Sequence, residues 1–218
     1  MNKSIWSFPW FFIPVLLFFI AGLVLLLLMP YGAEILYLNT WRAEPLNSFF
    51  RFFTLMGEFP AFVVTGLLLL LWRYRFALLF AGAGLLVSPL SYLLKDKIGT
   101  DRPITYFEKA GIREAVVQVP GVDLNGGQTS FPSGHTMAAF ALYGLVALTA
   151  GRVVPWLGLA CAWTAILVGI SRIFLVQHFL IDVLGGAAIG LLLALLLWRL
   201  DERFLTKLPI LNAGLLTR

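Results

Sequence analysis

His135 and His178 are the chain's two histidines, and each stands in a polar cluster at the end of an apolar run. One cluster is Lys95-Asp96-Lys97-Ile98-Gly99-Thr100-Asp101-Arg102-Pro103. A second is Phe131-Pro132-Ser133-Gly134-His135-Thr136. The third is Ser171-Arg172, followed by His178 and Asp182. Lys95, Arg102 and Arg172 supply three cations. The guanidinium fork suits bidentate contact with phosphate oxygens, and lysine acts as a point charge. Pro132-Ser133-Gly134 precedes a predicted helix, whose first turn presents unsatisfied N–H groups and the positive end of the helix dipole. Gly134 lets an anion approach the backbone closely. The sum is a cradle for a phosphoryl group.

The same residues suggest a reaction. His178 and Asp182 are four apart, so on a helix they share one face. A carboxylate accepting the Nδ1–H of His178 would fix its tautomer and leave Nε2 as a nucleophile. His135, brought in from another helix, would protonate the leaving oxygen and later activate water. The three cations neutralise the charge that develops on the transferred phosphoryl, so the scheme needs no metal or other cofactor.

Each part has a plainer alternative. Pro-Ser-Gly-His is also an ordinary helix start with Ser and Gly as capping residues. Lys97 reads best as a snorkelling anchor. His178 and Asp182 taken alone are as readily a structural hydrogen bond. Two histidines and an aspartate could form a facial metal triad, but three nearby cations would repel a divalent ion. No plainer alternative accounts for all three clusters together.

The elements that must position these residues are membrane helices. Hydrophobic residues make up 60% of the 218, and charged residues 12%; the mean hydropathy is +0.91. A water-soluble core of this size cannot bury so much apolar surface. Six spans are expected: 9–29, 52–72, 76–94, 133–152, 153–171 and 179–198. The first is too long for the apolar part of a signal peptide and lacks a small-residue cleavage site, so it is taken as a membrane helix. Glu58-Phe59-Pro60 marks a possible true start of the second. Residues 95–130 form a large polar loop with some local structure. For 31–51, an interfacial amphipathic helix and a re-entry loop are both open. The expected fold is therefore all-α, one membrane-embedded domain over 1–218, with a six-helix bundle and a polar outer loop between helices 3 and 4. Gly169, Gly185, Gly186 and Gly190 suggest close packing of helices five and six.

Charge narrows the partners. The net charge is +5, but the basic residues are scattered, which favours a lipid bilayer over nucleic acid. Cys161, the one cysteine, permits no internal disulfide and reads as a packing residue. Six spans put both termini on one side, with Lys3, Arg73, Arg75, Arg152, Arg199, Arg203, Lys207 and Arg218. Eight Lys and Arg fall on each side, so counting alone is a tie. Because several opposite-side cations belong to the candidate site, the short basic turns point to cytoplasmic termini and an outward-facing loop.

In their order and spacing, Lys95 with Arg102-Pro103, then Pro132-Ser133-Gly134-His135, then Ser171-Arg172 with His178 and Asp182, resemble the three-part signature of the type 2 phosphatidic acid phosphatase superfamily. No signature position is substituted between 95 and 182. The resemblance implies His178 as nucleophile, Asp182 as its partner and His135 as general acid and base. It implies that Lys95, Arg102, Arg172, Ser133 and Gly134 hold the phosphate, without a metal. Apolar composition points to the membrane-bound branch, many of whose bacterial members act at the outer face of the inner membrane, on undecaprenyl diphosphate, phosphatidylglycerol phosphate, phosphatidic acid or lipid A. Residues 102–109 are similar to bacterial phosphatidylglycerophosphatase and undecaprenyl-diphosphatase members, so those two substrates are favoured. A lipid phosphotransferase and a non-catalytic lipid-binding protein are the alternatives. The sequence leaves the oligomeric state open.

Overall fold

The computed structural model describes residues 7–150 and 154–216. Lys3, Arg152 and Arg218, used above for orientation, lie outside the described residues, as does the expected junction of spans four and five. All regular structure among the described residues is helical. The α-helices are α1 (Pro9–Leu28), α2 (Ala33–Leu38), α3 (Leu46–Leu55), α4 (Phe59–Trp72), α5 (Tyr74–Ile98), α6 (Pro103–Lys109), α7 (Gly134–Ala150), α8 (Pro155–Phe174) and α9 (Leu180–Arg203). Prolines open α1, α4, α6 and α8 at their first or second position, where a missing N–H costs nothing.

Four of these helical runs are long and apolar enough to cross a membrane, those of α1, α5, α8 and α9. The expected second span is a bent pair instead: α3 and α4 meet at 56°, giving at most a fifth crossing. The break falls at residues 56–58, so Glu58-Phe59-Pro60 does open the second half. Helix α7 has 17 residues, about 26 Å at 1.5 Å per residue, the short end of spanning lengths. Residues 31–51 are neither one amphipathic helix nor a plain loop. They form α2, a 3₁₀ turn at Asn39–Trp41 and the start of α3.

Helix α7 is the axis of the bundle. Eleven of its residues are buried, and it packs against α9, α8 and α5. Met137, Leu142 and Leu145 meet Phe80, Ala194 and Trp198 in one core cluster; Phe140 meets Phe11, Ala162 and Ala165 in another. By contrast, Leu16, Leu17, Leu27 and Leu28 of α1 and Leu67 and Leu68 of α4 are exposed, as lipid-facing side chains are. The close glycine contacts are as expected at Gly169 of α8, where a side chain would meet Val183 Cγ1 of α9 at 3.0 Å, and differ at Gly186 and Gly190. A side chain at Gly186 would meet the Ser133 carbonyl at 2.5 Å, and one at Gly190 the Met137 carbonyl. These glycines bring α9 against α7, not against α8.

The ends of the bundle differ in chemistry. At one end lie Arg73, the close of α9 and residues 205–216, whose Leu215 and Leu216 amides donate to the Leu70 and Leu71 carbonyls of α4. There Arg75 of α5 pairs with Asp201 of α9 at 3.1 Å, both buried. At the other end the close of α5, the start of α7, the close of α8 and the start of α9 come together, and all three sequence clusters sit there.

Candidate active site

The third cluster folds differently from the single helix face expected of it. Helix α8 closes at Phe174, and the Gln177 and His178 amides both donate to the Arg172 carbonyl, at 2.9 and 3.2 Å. Helix α9 begins only at Leu180. His178 therefore sits in the turn between helices, and Asp182 in the first turn of α9. Oδ2 of Asp182 accepts the Phe179 amide at 2.9 Å and the Ser130 hydroxyl at 2.5 Å. Both bonds use a carboxylate near a helix N-terminus, where its charge is favoured.

Both side chains are almost fully buried, and His178 Nδ1 lies 3.5 Å from Asp182 Oδ2. Nδ1 itself is buried without a hydrogen-bond partner. The expected hydrogen bond from His178 to Asp182 is thus an ion-pair-range contact, because the carboxylate oxygen already serves Phe179 and Ser130. Burial, and after it the charges of Arg172, Arg102 and Lys95, hold the His178 imidazole well below its ordinary value near 6.5. A neutral ring with an unprotonated nitrogen is what nucleophilic attack requires.

The second cluster is locked onto the third. The Ser133 amide donates to the Asp182 backbone carbonyl at 3.0 Å. The Ser133 hydroxyl accepts Thr136 Oγ1 at 2.9 Å and caps α7. Ser133 is buried, and its Oγ accepts in both of its side-chain bonds, which leaves its O–H proton to donate. Gly134, the other expected phosphate contact in this cluster, opens α7, where amides of the first turn have no intrahelical partner. His135 is half-exposed, within electrostatic reach of Arg172, His178, Lys95 and Arg102.

The three cations come from three elements. Lys95 lies in the last turn of α5. Arg102, on the polar segment, donates to Thr129 Oγ1 at 3.1 Å and the Gln177 carbonyl at 3.4 Å. Arg172, buried in α8, donates from Nη1 to Thr54 Oγ1 of α3 at 2.5 Å, while its Nε is buried with no hydrogen-bond partner. A buried guanidinium N–H left open is costly unless a ligand takes it, and an anion is the ligand it suits. Lys97 is exposed, as a snorkelling anchor is. Among the described residues no three His, Cys, Asp or Glu side chains gather closely enough to hold a metal ion.

Three participants lie outside the clusters. Thr54 holds Arg172; Ser130 holds Asp182. Glu58, at the α3–α4 break, puts Oε1 3.5 Å from His135 Nε2. An acid inside an otherwise apolar run was the available signal for Glu58; Thr54 and Ser130 gave none. A cavity of about 570 Å³ opens beside the site, lined by Glu58, Tyr92, Lys95, Gly134 and His135 among others. An apolar cavity of about 650 Å³ between α4 and α5 adjoins it, sharing Phe59, Phe62 and Gly84.

Comparison with known proteins agrees with this geometry. The chain is 42% identical over 81 residues to phosphatidylglycerophosphatase B of Bacillus subtilis (strain 168), covering 34% of this chain and 40% of that protein. It is 31% identical over 171 residues to a probable diacylglycerol pyrophosphate phosphatase 1 of Schizosaccharomyces pombe, covering 65% and 60%. It spans between 14% and 60% of the length of the curated relatives it matches. Among solved structures, a transmembrane PAP2 type phosphatidylglycerolphosphate phosphatase from Bacillus subtilis superposes with TM-score 0.61 at 28% identity, over 88% of this chain and 96% of that one. Aquifex aeolicus LpxE superposes with TM-score 0.62 at 25% identity, over 76% and 92%. The PAP2 superfamily model matches residues 60–205, a stretch that holds all three clusters and the helices that carry them; the chain belongs to the PAP2 superfamily.

Proposed function

We propose that this chain is a membrane lipid phosphate phosphatase working through a phosphohistidine on His178. The observation that carries the reading is the meeting of both histidines with Lys95, Arg102 and Arg172 at one end of the bundle, with the buried Arg172 Nε still unpartnered. Those cations, with the amides at Gly134, hold the phosphoryl oxygens. Nε2 of His178 attacks phosphorus, the bond to the leaving oxygen breaks, and His135 gives that oxygen its proton. Water then attacks the phosphohistidine while His135 takes the water's proton, and inorganic phosphate leaves. Asp182 favours the charge that His178 gains in the intermediate. Three cations neutralise the transferred group, so the reaction runs without a metal.

The lipid tail follows the apolar cavity between α4 and α5 into the bilayer. Phosphatidylglycerol phosphate and undecaprenyl diphosphate are the favoured substrates; the names of the relatives support the lipid phosphate class. In this reading residues 1–218 act as one domain with six spans, α3–α4 and α7 each counting as one. The termini are cytoplasmic, and the site lies at the outer face of the inner membrane. The test is phosphate release by detergent-purified protein from phosphatidylglycerol phosphate, undecaprenyl diphosphate, phosphatidic acid and a lipid A phosphate, each with and without EDTA. Release from at least one lipid, unchanged by EDTA, is expected. Silence across the panel from folded protein contradicts the reading, and loss with EDTA restored by a divalent ion contradicts its metal independence.

A further inference from the structure

We propose that Glu58 biases the site towards phosphate monoesters of lipid alcohols over lipid diphosphates, by placing a carboxylate beside the position of the leaving oxygen. The inference rests on the reading of His135 as proton donor to the leaving oxygen. Glu58 reaches His135 because the chain breaks between α3 and α4. A side chain at Gly57 would meet the His135 backbone carbonyl at 2.8 Å and Val168 Cγ1 at 2.6 Å, so glycine there lets the break close onto the first turn of α7. Glu58 is the residue before the first turn of α4, yet its side chain makes no capping hydrogen bond. It turns instead to His135, with Oε1 3.5 Å from Nε2. Among the described residues its ion-pair contact is that histidine, with no Lys or Arg within ion-pair distance.

The consequence follows from sharing one nitrogen. A leaving oxygen that takes a proton from Nε2 must come within about 3 Å of it. It then lies no more than about 6.5 Å from Glu58 Oε1, which is itself 3.5 Å from that nitrogen. Lys95 lines the same cavity, and Arg172 is within electrostatic reach of Glu58; in the proposed reaction both hold the transferred phosphoryl. In a monoester the atom beyond the leaving oxygen is an uncharged carbon, and a nearby hydroxyl can donate to the carboxylate. In a diphosphate that atom is a second phosphorus bearing at least one negative charge. The charged oxygens of that second phosphate lie beyond the leaving oxygen, and the Glu58 side chain is 39% exposed, so the screened repulsion costs about a few-fold in rate. Of the two favoured lipids, phosphatidylglycerol phosphate carries carbon at that position and undecaprenyl diphosphate carries phosphorus.

The experiment compares phosphatidic acid with diacylglycerol diphosphate of the same acyl chains, so that tail binding cancels. kcat/KM is measured for both on each preparation of the full-length protein in mixed micelles. A phosphate is intrinsically a better leaving group than an alcohol, so the readout is the change in ratio: Glu58→Gln should raise turnover of the diphosphate relative to phosphatidic acid by about threefold or more, and Glu58→Asp should keep the wild-type ratio. A ratio taken within one preparation is insensitive to partial unfolding. If Glu58→Gln loses both activities, Glu58→Ala supplies the comparison. A ratio that these uncharged substitutions leave unmoved, or that moves towards the monoester, overturns the proposal. No turnover of either lipid would instead fail the phosphatase reading itself.

Discussion

The Ser130 hydroxyl donates to Asp182 Oδ2 at 2.5 Å, tying the entry to α7 to the first turn of α9. The same oxygen accepts the Phe179 amide and stands 3.5 Å from His178 Nδ1. Asp182 therefore does two jobs: it fixes the turn that carries His178, and it supplies the negative charge beside the ring. Asp182→Asn keeps a hydrogen-bonding group and removes the charge. It should lower kcat by about 100-fold or more while the protein stays folded, since losing the carboxylate partner of a catalytic histidine costs several orders of magnitude elsewhere. Ser130→Ala should cost about 1–3 kcal/mol of stability and a smaller part of kcat. Steady-state rates beside thermal unfolding in detergent separate the two effects. Near-normal kcat in folded Asp182→Asn would contradict the assignment.

His178 also sets a pH dependence of stability. Its folded value lies well below the ordinary 6.5 because burial, then Arg172, Arg102 and Lys95, disfavour the imidazolium. Below about pH 6.5 the unfolded chain takes up a proton that the folded chain refuses, so stability falls as pH drops from there. At neutral pH and above this contribution is constant. The Tm of wild-type protein should decline between about pH 6.5 and 5, and His178→Asn should flatten that decline. An equal slope in both proteins would show that His178 is not held neutral.

The α7–α9 seam should be intolerant of bulk. A Cβ at Gly190 would collide with the Met137 backbone carbonyl, and backbone cannot step aside as a side chain tip can. Gly190→Val should cost about 1–3 kcal/mol or more, seen as a lower Tm and poorer recovery from detergent. Gly66 has open space around it, so Gly66→Ala should be nearly neutral. Equal effects at the two positions would contradict the seam.

Residue types and spacing carried much of this site. Lys95, Arg102, Arg172, His135, His178 and Asp182 needed only their chemistry and order to be singled out, because ionisable groups beside apolar runs are costly without a purpose. Local geometry was harder to read. The four-residue step from His178 to Asp182 suggested one helix face, but the chain turns at residues 175–179 and α9 starts after the histidine. Ser133 was singled out as a phosphate contact by type; its amide serves the Asp182 carbonyl and its Oγ accepts from Thr136, so only its O–H is left to donate. Partners brought by tertiary folding left no mark in the sequence. Thr54 is an ordinary polar residue until α3 lies against α8, and Gly186 and Gly190 gave no hint that α7, not α8, is their neighbour. The 56° break between α3 and α4 was visible only as Glu58-Phe59-Pro60 inside an apolar run.

A covalent phosphoryl group on His178 can be trapped during turnover. Purified protein would be mixed with a lipid phosphate carrying a labelled terminal phosphorus, quenched during turnover with alkali and mapped. An acid-labile, alkali-stable label is expected on the peptide containing His178, absent from His178→Ala, which should also release no phosphate. Label on another residue, or continued turnover by folded His178→Ala, would contradict it.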